Sequence, residues 1–103
     1  MGFLDFLFGN VDKKIKDFQS RGAIILDVRT KREYDSGAIV GCKHIPLQDL
    51  HQRFEELKQI NKPVIVYCAS GVRSTKATKF LNLNNIEAIN GGGIKHLKKI
   101  LAK

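Results

Sequence analysis

The chain lacks tryptophan altogether and has only two prolines, one methionine and two cysteines among its 103 residues. Two thiols, Cys42 and Cys68, are too few to staple a disulfide scaffold. With three scattered histidines they match no metal-ligand spacing, so no metal is expected. No apolar run approaches the ~20 residues that a bilayer-crossing helix needs, and there are no repeats or low-complexity tracts. What remains is 43 % apolar residues, enough for a real core, in a length that suits one small domain.

The opening MGFLDFLFG has no basic flank, and Asp5 interrupts its short apolar run, so it is a poor secretory signal. Phe6 stands where myristoylation wants Ser or Thr. A cytoplasmic setting with two free thiols is therefore expected. Phe3, Leu4, Leu7 and Phe8 share one helical face, which could pack on the domain, meet a partner or membrane surface, or fray. The division is an apolar segment over 1–9 and a domain over 10–103, with no membrane partner expected.

The net charge is +8, with lysines crowded at 13–16 and 95–103. Nucleic acid is one reading of such charge. The basic residues alternate with apolar ones on helical stretches, however, and no aromatic-rich strand accompanies them. A solvated basic face is favoured, without a nucleic-acid partner. The same field would draw in a small anionic substrate.

Asn10 reads as a helix N-cap, with Asp12 in the first turn and Val11, Ile15 and Phe18 at helical spacing. Residues 23–28, AIILDV, are the continuous apolar run of a strand covered on both faces. Thr30 and Glu33 form a capping box that starts a short helix after Arg29 and ends it near Ser36-Gly37. His44-Ile45 is a short extended piece stopped by Pro46. Leu47, Leu50, Phe54 and Leu57 mark an amphipathic helix that Asn61-Lys62-Pro63 breaks. Residues 64–67 form a second strong strand, and Ala77, Phe80 and Leu81 share a helical face. After a turn at Asn84-Asn85 come a strand over 86–89, a flexible bend at Gly91-Gly92-Gly93, and a closing helix carrying Ile94, Leu97 and Leu101. Alternating strands and helices predict an α/β domain with a mostly parallel sheet and helices on both faces. Sites in such sheets lie beyond the carboxyl ends of the strands, where Asp27 and Cys68 both fall.

Residues 68–74, CASGVRS, carry the chemistry. A thiol with an ordinary pKa of about 8.5 is mostly protonated at neutral pH, and the thiolate is the nucleophile. Three features favour the thiolate. The following helix presents its N-terminus. Gly71 lets the backbone curl so that successive N–H groups point inward. Arg73 adds a permanent, forked cation. A buried cysteine at a strand end is the plain alternative. Gly71, Arg73, Ser74 and the strand–loop–helix context together tip the balance to a reactive site.

Three stretches resemble the rhodanese family of sulfurtransferases: LDVRTKREYDSGAIVGCKHIPL, VIVYCASGVRS and INGGGIKHL. The chain departs from that pattern at Ala38, where a histidine is frequent, and at Leu97, where a tryptophan is common. The resemblance implies a single-domain rhodanese with a three-layer α/β fold. In it, Cys68 takes a sulfane sulfur from thiosulfate or a small persulfide and passes it to cyanide or a thiol. Ala69, Ser70, Gly71, Val72, Arg73 and Ser74 would line the persulfide, the N–H groups from Ala69 to Arg73 holding it. No cofactor is implied. The spacing Cys-x4-Arg separates the chain from related phosphatases and arsenate reductases, whose Cys-x5-Arg loop rings a larger phosphate-like anion.

Several roles stay open at this level. Asp27 and Arg29 either contact the loop or close a strand and support a turn, the second being favoured. Glu33 is read as a cap rather than an acid. Arg73 could orient substrate or only brace the loop, and Ser74 could bond the persulfide or cap the helix. Cys42 is read as a bystander. Enzymatic turnover competes with a sulfur-carrier or persulfide-binding role that delivers to a partner protein. An inactive interaction domain is a third possibility, against which the intact Cys68 counts.

Overall fold

In the computed structural model, the backbone is described for residues 3–103 and the side chains for residues 10–103. Five α-helices, a short 3-10 turn and four strands follow one another as α1 (Phe3–Ser20), β1 (Ile24–Asp27), α2 (Lys31–Asp35), β2 (Lys43–His44), the turn Leu47–Asp49, α3 (Leu50–Ile60), β3 (Val64–Cys68), α4 (Val72–Leu83), β4 (Ala88–Gly93) and α5 (Ile94–Leu101). The strands form one parallel sheet in the order β2-β1-β3-β4.

The central strand β3 is buried along its whole length, which explains its unbroken apolar sequence. Its side chains alternate between two cores. Val64, Val66 and Cys68 pack with Leu50 and Leu57 of α3 and Ala77 and Leu81 of α4. Ile65 and Tyr67 face the other way, onto Ile15 and Phe18 of α1 and Leu97 and Ile100 of α5. The expected α/β domain with helices on both faces of a parallel sheet is therefore what forms.

Two local expectations are corrected. Asn10 is not an N-cap, because α1 already runs through it from Phe3. Glycine or asparagine inside a helix costs about 1 kcal/mol or less, and continuity spares the N–H groups of residues 10–13 from becoming a free end. The packing expected for Phe3, Leu4, Leu7 and Phe8 lies outside the described side chains. Second, Gly91-Gly92-Gly93 is not a bend but the end of β4, which begins only at Ala88. Close approach demands these glycines. A Cβ on Gly91 would stand 2.9 Å from Ile65 Cγ2, and one on Gly93 would stand 2.7 Å from the Ala69 carbonyl oxygen. The register shift against β3 between Val66 and Tyr67 leaves Gly91 without a partner, and Gly92 next to it takes φ +81°.

Candidate active site

β3 delivers Cys68 to the carboxyl edge of the sheet, opposite Gly93 of β4. Gly71, with φ 101°, turns the chain into α4 without a side-chain cap, so the first N–H groups of that helix are free to point at the loop. Two of them reach the sulfur: Gly71 donates to Cys68 Sγ at 3.0 Å and Ser74 donates at 3.3 Å. The Ser74 hydroxyl stands 3.3 Å from the same atom. Burial, at 1 % exposure, pushes the thiol pKa up. The Ser74 hydroxyl and the N–H groups of Ser74, Gly71 and Ser70 more than offset it, so the net shift is downward. The arrangement gathers donors around the sulfur at a helix N-terminus.

The other loop residues divide by position. Ala69 turns its carbonyl toward Gly93, while Val72 is 65 % exposed at the mouth. Arg73 forks onto Glu33 of α2, at 2.7 and 2.9 Å. It braces the loop against α2 and has no hydrogen bond to Cys68. Glu33 fills two roles: it closes the capping box with Thr30 and receives Arg73. The Arg73 guanidinium, helped by the Thr30 donors, holds the Glu33 carboxyl down at about 2.

Asn90 of β4 was not singled out by the sequence, yet it ties the loop together. Its side-chain oxygen accepts from the Ser74 hydroxyl at 2.7 Å and from the Gly92 N–H at 2.9 Å. Its amide nitrogen donates to Thr75 Oγ1 at 2.8 Å and to the Gly71 carbonyl at 3.4 Å. No local pattern marks an asparagine in a glycine-rich strand; only the pairing of β4 beside β3 brings it to the loop.

Asp27 and Arg29 form a separate buried cluster. The Arg29 guanidinium grips both Asp27 oxygens, at 2.8 to 3.1 Å, and also bonds the Gly37 carbonyl. The Tyr67 hydroxyl donates to Asp27 at 2.7 Å and accepts the Ile39 N–H at 3.1 Å. This cluster locks the end of β1 to the loop after α2 and makes no hydrogen bond to the Cys68 loop. Cys42 joins it through a 3.5 Å contact with the Tyr67 hydroxyl. It packs with the α1/α5 core, across the sheet from Cys68. Burial raises the Cys42 pKa, so the two thiols are pushed in opposite directions.

A cavity of about 280 Å³ opens beside the loop, lined by Val28, Thr30, Pro46, Leu47, Gln48 and Arg73. A larger one, about 460 Å³, lies at the other end of the sheet around Pro63, which precedes β3. No helix among the described residues is long and apolar enough to cross a membrane.

The model of the rhodanese-like domain family matches residues 11–99, and the chain belongs to that family. It is 41 % identical over 86 residues to the uncharacterized protein YqhL of Bacillus subtilis, covering 81 % of this chain and 68 % of that one. It is 26 % identical over 83 residues to the thiosulfate sulfurtransferase GlpE of Ectopseudomonas mendocina, covering 78 % and 75 %. A putative sulfur carrier protein of Bacillus subtilis, YrkF, is 35 % identical over 65 residues, 63 % of this chain but only 35 % of that longer protein. Among solved structures, a rhodanese-related protein from Thermoplasma volcanium superposes with a TM-score of 0.72 at 27 % identity, covering 85 % of this chain and 87 % of that one. Relatives of this domain thus include sulfur-handling proteins.

Proposed function

We propose that the protein is a sulfurtransferase that moves a sulfane sulfur through a Cys68 persulfide. The single observation that carries this is the pair of N–H donors, from Gly71 and Ser74, converging on Cys68 Sγ at the start of α4. The Cys68 thiolate attacks the outer sulfur of thiosulfate or of a small persulfide. The donor's S–S bond breaks, and its electron pair leaves with sulfite or with the donor thiolate. A thiol or cyanide then attacks the outer sulfur of the Cys68 persulfide, and the electron pair of that second S–S bond returns to Sγ. Both steps are displacements at sulfur, which need a nucleophile that is also a good leaving group and no cofactor. The substrate residues are the loop, Ala69 to Ser74, with Gly71 and Ser74 at the reacting sulfur; Asp27 and Arg29 are supports. The site is suited to a reducing, cytoplasmic setting in which both thiols stay free.

A second reading is a sulfur carrier that loads Cys68 and hands the sulfur to a partner protein. The similarity to a putative sulfur carrier supports it, as does the near-complete burial of Sγ. Intact mass after incubation with thiosulfate or glutathione persulfide tests both readings, since each expects the gain of one sulfur atom, lost on reduction and absent in Cys68→Ser. Uptake of sulfur by Cys68→Ser would exclude Cys68 as the acceptor. Thiocyanate formation from thiosulfate and cyanide then separates the two: rapid steady turnover marks the enzyme, loading with slow release the carrier.

A further inference from the structure

The Ser74 hydroxyl proton has two acceptors within reach, the Asn90 side-chain oxygen and the Cys68 sulfur. The Gly92 backbone N–H can only donate, and it donates to the Asn90 side-chain oxygen at 2.9 Å, which fixes which end of the Asn90 amide is oxygen. Thr75 spends its own hydroxyl proton on the Gly71 carbonyl at 2.7 Å and accepts from the Asn90 amide nitrogen at 2.8 Å, which fixes the other end. Ser74 Oγ stands 2.7 Å from the fixed Asn90 oxygen and 3.3 Å from Cys68 Sγ. A hydroxyl has one proton. While Asn90 holds it, Ser74 offers Cys68 only a lone pair, and the contact between them is a thiol donating to Ser74.

We infer that Asn90 is a positioning residue of the nucleophile: its side-chain oxygen holds the Ser74 hydroxyl proton, and forming the Cys68 thiolate requires that proton to swing from Asn90 to the sulfur. The Gly71 and Ser74 N–H groups stabilise the thiolate at no such cost, because they point at the sulfur in either state. The Ser74 hydroxyl is the one donor that must leave another partner first. Asn90 therefore restrains ionisation of a thiol that the helix N-terminus would otherwise release more readily. The charged groups around the loop are paired with one another. β4, from Ala88 to Gly93, carries no titratable side chain. Arg73 of α4 is paired with Glu33 of α2, and Asp27 at the end of β1 is paired with Arg29.

This inference rests on Cys68 being the nucleophile, but its test does not involve sulfur transfer and so fails or succeeds separately from persulfide loading. The experiment is iodoacetamide alkylation of Cys68 over a pH series, in the full chain with Cys42→Ser to leave one thiol. Asn90→Ala should alkylate about fivefold faster below the midpoint, the gain of one hydrogen bond freed for the thiolate. The same substitution in a Ser74→Ala background should change nothing, because Asn90 acts through the Ser74 hydroxyl. If Asn90→Ala does not fold, Asn90→Val, suited to a strand and without a polar atom, must show the same acceleration. Unchanged or slower alkylation in the folded variant, or equal acceleration with Ser74 absent, overturns the inference.

Discussion

Glu33 of α2 and Arg73 of α4, 40 residues apart in the chain, meet in a two-pronged ion pair of 2.7 and 2.9 Å. The pair fastens the helix after β1 to the helix that carries the Cys68 loop. It also places the loop's only cation on a neighbouring carboxylate instead of at the sulfur.

Replacing Glu33 by Gln should therefore cost stability and not remove the nucleophile. Both side chains are about a third exposed, so the pair contributes no more than about 1 kcal/mol, and Gln, with an acceptor oxygen at the same position, keeps the capping box with Thr30. The folded carboxyl titrates at about 2, and the unfolded one near ~4.3. A depressed folded value means the contribution is complete above the unfolded pKa and is lost as pH falls through the folded one. Urea midpoints should fall between pH ~4 and pH ~2 in the native chain, with this component missing in Glu33→Gln.

Asp27 is expected to matter more. Asp27→Ala would strand Arg29, 5 % exposed, without a counter-charge and leave the Tyr67 hydroxyl short of its acceptor. Removing one partner of a buried pair costs about 3–5 kcal/mol, much of the total for a domain of this size. Thermal denaturation should show a large loss of melting temperature. A variant that folds as well as the parent but fails to load sulfur would move Asp27 from the scaffold into the chemistry.

The glycines of β4 make a paired prediction. Gly91→Ala forces a methyl against Ile65, Leu97 and the Val66 carbonyl, within 2.9 to 3.1 Å, and should lower stability by about 1–3 kcal/mol through overpacking. Gly93→Ala meets the Ala69 carbonyl at 2.7 Å, a backbone atom of the reactive loop. Its signature should be slower alkylation of Cys68 in a chain that still unfolds cooperatively. Equal effects of the two on alkylation would contradict this division of roles.

Much of the fold was legible because its signals are local. The capping box at Thr30 and Glu33, the unbroken apolar strand 64–67 and the turn at Asn61, which sits in the left-handed region at φ 56°, depend on residues within a few positions of one another. Cys68 and its loop were legible for the same reason. What escaped was long-range. Glycines weaken a strand in isolation, so Gly91-Gly92-Gly93 looked like a bend; the approach of β3, α5 and the Ala69 carbonyl crowds out side chains at Gly91 and Gly93, and the positive φ of Gly92 disfavours one there. Asn90, the Glu33–Arg73 pair and the bond from Tyr67 to Asp27 join residues 16 to 40 positions apart, which no spacing rule connects. The start of α1 was misplaced because Asn10 suits a cap but costs little inside a helix.

The central claim is that the loop amides favour the thiolate of Cys68 while burial favours the thiol of Cys42. Alkylation of the native chain over a pH series, with the two cysteines followed separately by peptide mapping, tests it directly. Cys68 should react with a midpoint below the ~8.5 of a free cysteine and Cys42 above it. A Cys68 that alkylates no more readily than Cys42 at neutral pH would contradict the account.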